Sequence, residues 1–236
     1  TTEIYTLSLH DALPIWFSFT IQVPSTATFL YDFPEPAPEF SWTEPSTIAS
    51  KRFGKALALS RKFSDGSPIV VFHNPETGTI ESTYFLGGRW YSARIDTIGS
   101  GDTWISLTVD NTDIAHVAYY DVIAGQLKYA FFDSNVWRTR TIDPASGAGR
   151  FNDIVTDRFG NIFVAYYNST NSHLYFARSG YASAAGKGEQ WAIELVDNAA
   201  NVGMYCSIAV SELWSVPHIA YYDSTNADLK YAYKPY

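Results

Sequence analysis

The chain has 236 residues, 46% of them hydrophobic and 17% charged, with a formal charge of -8 and a pI near 5.0. This is enough apolar material for one large domain or two small ones, and the acidic balance leaves no basic stripe to neutralise phosphates, which argues against nucleic acid or an anionic membrane as a main partner. A lone cysteine, Cys206, excludes an intrachain disulfide, and no apolar run is long enough for a spanning helix. The 17 Tyr, 15 Phe and 7 Trp, with many Thr, Val and Ile, favour strands over helices.

In chain order, "TTEIYTLSLHDALPI" at 1–15 has neither the basic start nor the uninterrupted apolar core of a signal peptide. It resembles a translated sequencing adapter and is set apart as a non-native leader. The segment 16–48 then offers three short apolar stretches, "WFSFTIQ", "ATFLYD" and "FSWTEPSTI", which read as a degenerate first unit. Beyond it one phrase recurs: "VVFHN" ending at Asn74, "VAYYD" at Asp121, "VAYYN" at Asn168 and "IAYYD" at Asp223, at steps of 47, 47 and 55 residues. A second marker, Trp90, Trp137 and Trp191, keeps the period with steps of 47 and 54.

Within each period, four apolar stretches are separated by Asp, Asn, Gly and Ser clusters, as in "WISLTVD", "IAHVAYYD", "GQLKYAFF" and "VWRTRTID". That pattern predicts an antiparallel four-stranded meander. Meanders repeated at this period bury their faces by stacking on one another, so the expected fold is an all-β propeller with about five visible blades. The expected blades are 16–48, 52–97, 103–143, 150–197 and 204–236. A five-bladed ring and a five-blade piece of a larger propeller remain equal readings. The longer step places its 8 extra residues in "SGYASAAGKGEQ", 179–190, either a loop free to contact a partner or neutral drift.

The phrases "PHIAYYDSTNADLKYA" and "NIFVAYYNSTNSHLYFA", each of the AYYD/LKYA type, resemble the repeats of bacterial β-propeller proteins, many of them secreted and multidomain. This resemblance implies an extracellular or cell-surface setting and a place in a longer chain. More distantly, "PIVVFHNPETGTIESTYFLGGRWYSARI" is similar to a blade of the fucose-binding lectin propellers, which hold sugar between blades with arginine, glutamate and aromatic residues. The matching positions are Glu81, Arg89 and Trp90; in the next repeat the equivalents read as Leu127, Asn135 and Val136 or Trp137, so the full set does not recur. The sialidase-type propellers are the third comparison, but their Asp-box is missing, since "SGDTW" and "FSDGSP" do not have its spacing.

Individual residues mostly favour structural roles. His116 and His218 hold the same repeat position, which suits packing better than a catalytic base. Asn74, Asp121, Asn168 and Asp223 close the same strand in successive repeats, as turn formers or as oxygen ligands for a calcium ion, with Asp121 and Asp223 the metal candidates. Trp42, Trp90, Trp137 and Trp191 fall on the outermost strand, where they cover blade edges or offer flat platforms to sugar rings. Cys206 reads as a half-buried small residue. The functional expectation is a non-enzymatic module binding a glycan or protein ligand through Trp90, Trp137, Trp191, Glu81 and Arg89, without a cofactor. The alternatives are a glycoside hydrolase or lyase using Asp102, Asp153 and Glu189, which needs two convergent carboxylates, and a structural scaffold.

Overall fold

A computed structural model describes residues 3–9, 17–23, 43–48, 56–179 and 190–235, with backbone alone for the first two segments. Two compact units are present, Thr1–Ser46 and Thr47–Tyr236. The first contains a hairpin of β1 (Glu3–Leu9) and β2 (Phe17–Val23) with Thr6 opposite Thr20. The segment 3–9, set apart above as leader, is therefore the strand that pairs with the start of the degenerate unit. The rest of that expected unit, with Trp42, lies outside the described residues apart from 43–48.

The second unit is all-β among its described residues. Its first sheet runs β3 (Leu57–Arg61), β4 (Pro68–Asn74), β5 (Thr79–Leu86), β6 (Arg89–Thr97). The second runs β7 (Ile105–Val109), β8 (Ala115–Asp121), β9 (Gln126–Asp133), β10 (Val136–Asp143). The third runs β11 (Ala148–Thr156), β12 (Ile162–Asn168), β13 (His173–Ser179), β14 (Ala192–Asp197). The fourth has three described strands, β15 (Val202–Val210), β16 (Pro217–Asp223) and β17 (Asp228–Tyr233). All pairs are antiparallel meanders, and the fold is propeller-like. No helix among the described residues is long and apolar enough to cross a membrane.

The recurring phrase explains the stacking. Every residue of β8 and β12 is buried, because each of these strands has a sheet on both sides. Val71, Ile80 and Ile98 meet Val117, Tyr119 and Ala130 between the first two sheets. Leu127, Tyr129 and Phe131 meet Ile154, Val164 and Tyr166 between the second and third. Leu174 and Phe176 meet Val202, Ile208 and Tyr221 between the third and fourth. Close approach is set by two glycines: a Cβ on Gly149 (φ +108) or Gly203 (φ +106) would stand 2.9 Å from the Cα of Leu127 or Leu174. That is nearer than any side chain tolerates, and the left-handed backbone suits glycine.

A polar clamp repeats at each junction. The aspartate closing the fourth strand of one sheet accepts a hydrogen bond from the first tyrosine of the phrase in the next: Tyr119 to Asp96 at 2.7 Å, Tyr166 to Asp143 at 2.7 Å and Tyr221 to Asp197 at 2.6 Å. Lys128 adds ion pairs to Asp96 at 2.9 Å and Asp121 at 2.8 Å, and Lys230 bonds Asp197. Burial pushes the Asp96 and Asp197 carboxyls up, but the tyrosine and lysine donors outweigh it and hold both below the ordinary aspartate value. The same desolvation, with a carboxylate alongside, drives the Tyr119, Tyr166 and Tyr221 hydroxyls well above a free phenol, so they remain donors.

Candidate functional site

The residues expected to bind a ligand lie apart from one another. Glu81, the third residue of β5, is buried and accepts hydrogen bonds from Asn74 Nδ2 and Thr79 Oγ1, both at 3.1 Å. Arg89 opens β6 in an exposed position opposite Leu86, five residues further along β5, a separation of roughly 17 Å at strand rise. Trp90 packs edge-on against Phe85 at 5.4 Å. The strand register also corrects the repeat alignment. Glu81 pairs with Phe72 as Lys128 pairs with Tyr119, so its counterpart is Lys128, not Leu127. Phe72 and Glu81 thus stand in the first sheet where the clamp residues stand in the second.

The other two tryptophans face the preceding sheet. Trp137 Nε1 donates to Ser82 Oγ at 3.0 Å, and Trp191, just before β14, packs edge-on against Tyr129 at 5.3 Å. Ser82 and Tyr129 are repeat equivalents, so each indole covers the same spot one sheet back.

The acidic and histidine candidates are engaged locally. Asp121 Oδ1 accepts from the backbone N–H of Ile123 and Ala124 at 2.9 and 3.0 Å, and Asp223 Oδ1 from Thr225 and Asn226 at 2.9 and 3.2 Å. These are the Asx turns that start a hairpin. No cluster of three metal-ligating side chains occurs among the described residues. His116 is fully buried between Tyr129 Oη at 2.6 Å and Asp110 Oδ2 at 3.1 Å. Asp153 accepts from Ile154 N, Ser207 Oγ and Ile208 N, while Asp102 is exposed and Glu189 lies outside the described residues. Cys206, buried rather than half-buried, donates to the Phe151 carbonyl at 2.8 Å, and burial pushes its thiol far above the ordinary range. Both observations favour a packing role over a thiolate nucleophile.

The site that the structure does offer is a cleft of about 840 Å³ between the third and fourth sheets. Its walls include Arg178 and Ser179 at the end of β13, Gln190, Trp191 and Ala192 leading into β14, and Trp214 to Pro217 from the turn between β15 and β16. Phe159, Asn161, Phe163 and Pro235 complete the lining, together with Lys234, which pairs with Glu194 at 2.5 Å. Trp214 is 64% exposed, so an indole face is presented to solvent. The turn that carries it is fixed by Ser215 Oγ donating to Asp157 Oδ2 at 2.6 Å. No Asp or Glu is among the described residues lining the cleft. The exposed Trp214 indole beside guanidinium, ammonium and amide donors can grip a polyhydroxylated ring.

Of the named ligand-binding candidates Trp191 alone borders this cleft, and Ser179 and Gln190, the described ends of the 179–190 insertion, line it as well. Trp214, Arg178 and Lys234 escaped the sequence expectation because each occurs once. The legible signal was the turn "SELWSVP", with Trp214 in fourth place where the sister turns "DNTD" and "DRFG" carry Asp113 and Gly160.

No protein-family model matches the sequence, and no curated protein matches it. Solved structures do share the fold. The BP39L lectin from Burkholderia pseudomallei superposes with a TM-score of 0.62 at 15% identity, over 83% of this chain and 57% of the lectin. AofleA from Arthrobotrys oligospora gives 0.57 at 15% identity, over 76% and 53%. A protein of unknown function from Dyadobacter fermentans gives 0.55 at 11%, over 75% and 64%. The chain thus spans little more than half the length of the first two. At these identities the likeness is one of fold: all-β, propeller-like and shared with a lectin.

Proposed function

We propose that this protein is a non-enzymatic carbohydrate-binding module whose described sheets are consecutive propeller blades and whose ligand seats in the cleft between the third and fourth. The observation that carries the reading is the cleft itself, with the exposed indole of Trp214 set beside Arg178 and Gln190 and no carboxylate in its described lining. The fold shared with the BP39L lectin supports it, as does the chemistry of sugar recognition, an apolar ring face on an indole with hydroxyls on charged and amide donors. A secreted or cell-surface setting within a longer multidomain chain is part of the proposal and rests on the repeat phrases.

Glycan-array binding of the whole chain, after circular dichroism confirms its fold, tests this directly. Trp214→Ala and Arg178→Ala are both expected to abolish array signal without lowering Tm, since both side chains are exposed. Signal retained in both variants, or no signal from the folded wild type, would sink the cleft as a glycan site.

A further inference from the structure

The first strands of the second, third and fourth sheets carry another repeated feature, away from the cleft. Trp104, Phe151 and Tyr205 hold equivalent places near the start of these strands, and their rings form a ladder with centroids 4.9 Å and 4.5 Å apart. The second tyrosine of each phrase borders a rung: Tyr120 on Trp104, Tyr167 on Phe151 and Tyr222 on Tyr205. Phe151 and Tyr205 occupy left-handed backbone, φ 50 and 51. For bulky side chains this is a genuine outlier, and the pairing register shifts around both. Glycine would fit with less strain, yet the sequence places a ring there twice. Packing does not account for Tyr205, which is 71% exposed.

A cation stands at the head of the ladder. The Arg150 guanidinium lies 5.4 Å from the Trp104 centroid and 5.3 Å from that of Tyr120. Its Nε is buried with no hydrogen-bond partner, and no carboxylate among the described residues pairs with it. In a chain of net charge -8, a guanidinium held by two aromatic faces and not neutralised is poised for an anion from outside. A planar fork of donors matches a carboxylate two-pronged, and aromatic faces match the apolar side of a sugar ring.

We propose that the ladder is a second ligand site, for an acidic sugar: the carboxylate of a uronic acid residue on Arg150, with the following sugar rings along Phe151 and Tyr205. It shares no residue with the cleft between the third and fourth sheets and does not rest on the reading of that cleft. Two ring-to-ring steps give room for a short oligosaccharide rather than one sugar.

The test is calorimetric titration of the whole chain with trigalacturonate, with neutral galactotriose and benzoate as separate arms. Trigalacturonate is expected to bind saturably and to weaken with salt. Loss of about tenfold in affinity is expected in Arg150→Gln, the scale of one charge-assisted pair, with partial retention in Arg150→Lys, which keeps the charge but not the fork. Tyr205→Gly should lose affinity while its Tm holds or rises, because glycine relieves the left-handed strain. No binding of trigalacturonate by the folded chain, or equal binding of galactotriose, overturns the proposal. Benzoate binding as tightly as trigalacturonate overturns the assignment to a sugar acid. A Tyr205→Gly variant with lower Tm and unchanged affinity makes the ring a packing element and overturns the site.

Discussion

The second and fourth sheets contain the same phrase in different surroundings. In the second, His116, Leu127 and Tyr129 are fully buried under the third sheet; in the fourth, their counterparts include Leu229 at 84% and Tyr231 at 60% exposure. Local geometry is nevertheless preserved. His116 Nδ1 and Tyr129 Oη lie 2.6 Å apart, and so do His218 Nδ1 and Tyr231 Oη, although the second pair lacks the cover that the third sheet lays over the first. The side-chain pattern is thus written into each sheet, while burial is supplied by the neighbour.

The largest effect that sharpens this contrast is a pair of truncations. Leu127→Ala should cost about 2–5 kcal/mol, the range for a fully buried leucine, whereas Leu229→Ala should stay within about 0.5 kcal/mol, as surface changes do. Urea midpoints of the two variants measure both, and equal losses would refute the idea that the neighbouring sheet supplies the burial. Next comes the clamp. Tyr119→Phe removes the hydroxyl that Asp96 accepts at 2.7 Å and is expected to cost about 1 kcal/mol, leaving the carboxylate to Lys128. An unchanged midpoint would show that the clamp adds nothing to packing.

A smaller effect follows from pH. Asp96 and Asp197 titrate below their ordinary value of 3.8 in the folded chain, so their contribution is complete above that value and is lost as pH falls through the folded pKa. Both carboxylates are partly exposed, so solvent screening trims the gain. Chemical denaturation at falling pH should show Asp96→Asn losing less stability to acid than wild type; parallel curves would remove Asp96 from the acid response. The smallest expected effect is that of a chelator. Asp121 and Asp223 already hold backbone N–H groups, so chelation should leave Tm unmoved, and a clear drop would restore a calcium site.

Much of the fold was legible because the phrase carries its own structural logic. Alternate residues of "VAYYD" face two neighbouring sheets, so both sets are apolar, and the closing Asp or Asn makes the turn. The clamp was half visible: the tyrosines and the "ID" or "VD" endings recur, but their meeting needs the stack. Glu81 was placed one residue off: the 47-residue step itself carries it onto Lys128, and the strand register agrees. The cleft was not legible, since Arg178, Trp214 and Lys234 come from separate elements and none repeats. Arg150 and Tyr205 were missed for another reason, as both sit at bulges where one extra residue breaks the alternation on which strand reading depends.

The aspartate–tyrosine clamp has a mechanical consequence. Each clamp among the described residues joins two sheets adjacent in the chain, so cohesion there passes from one neighbour to the next as in a zipper with few teeth. Pulled from its two ends, such a molecule should come apart in instalments, each force peak releasing one sheet's length of polypeptide.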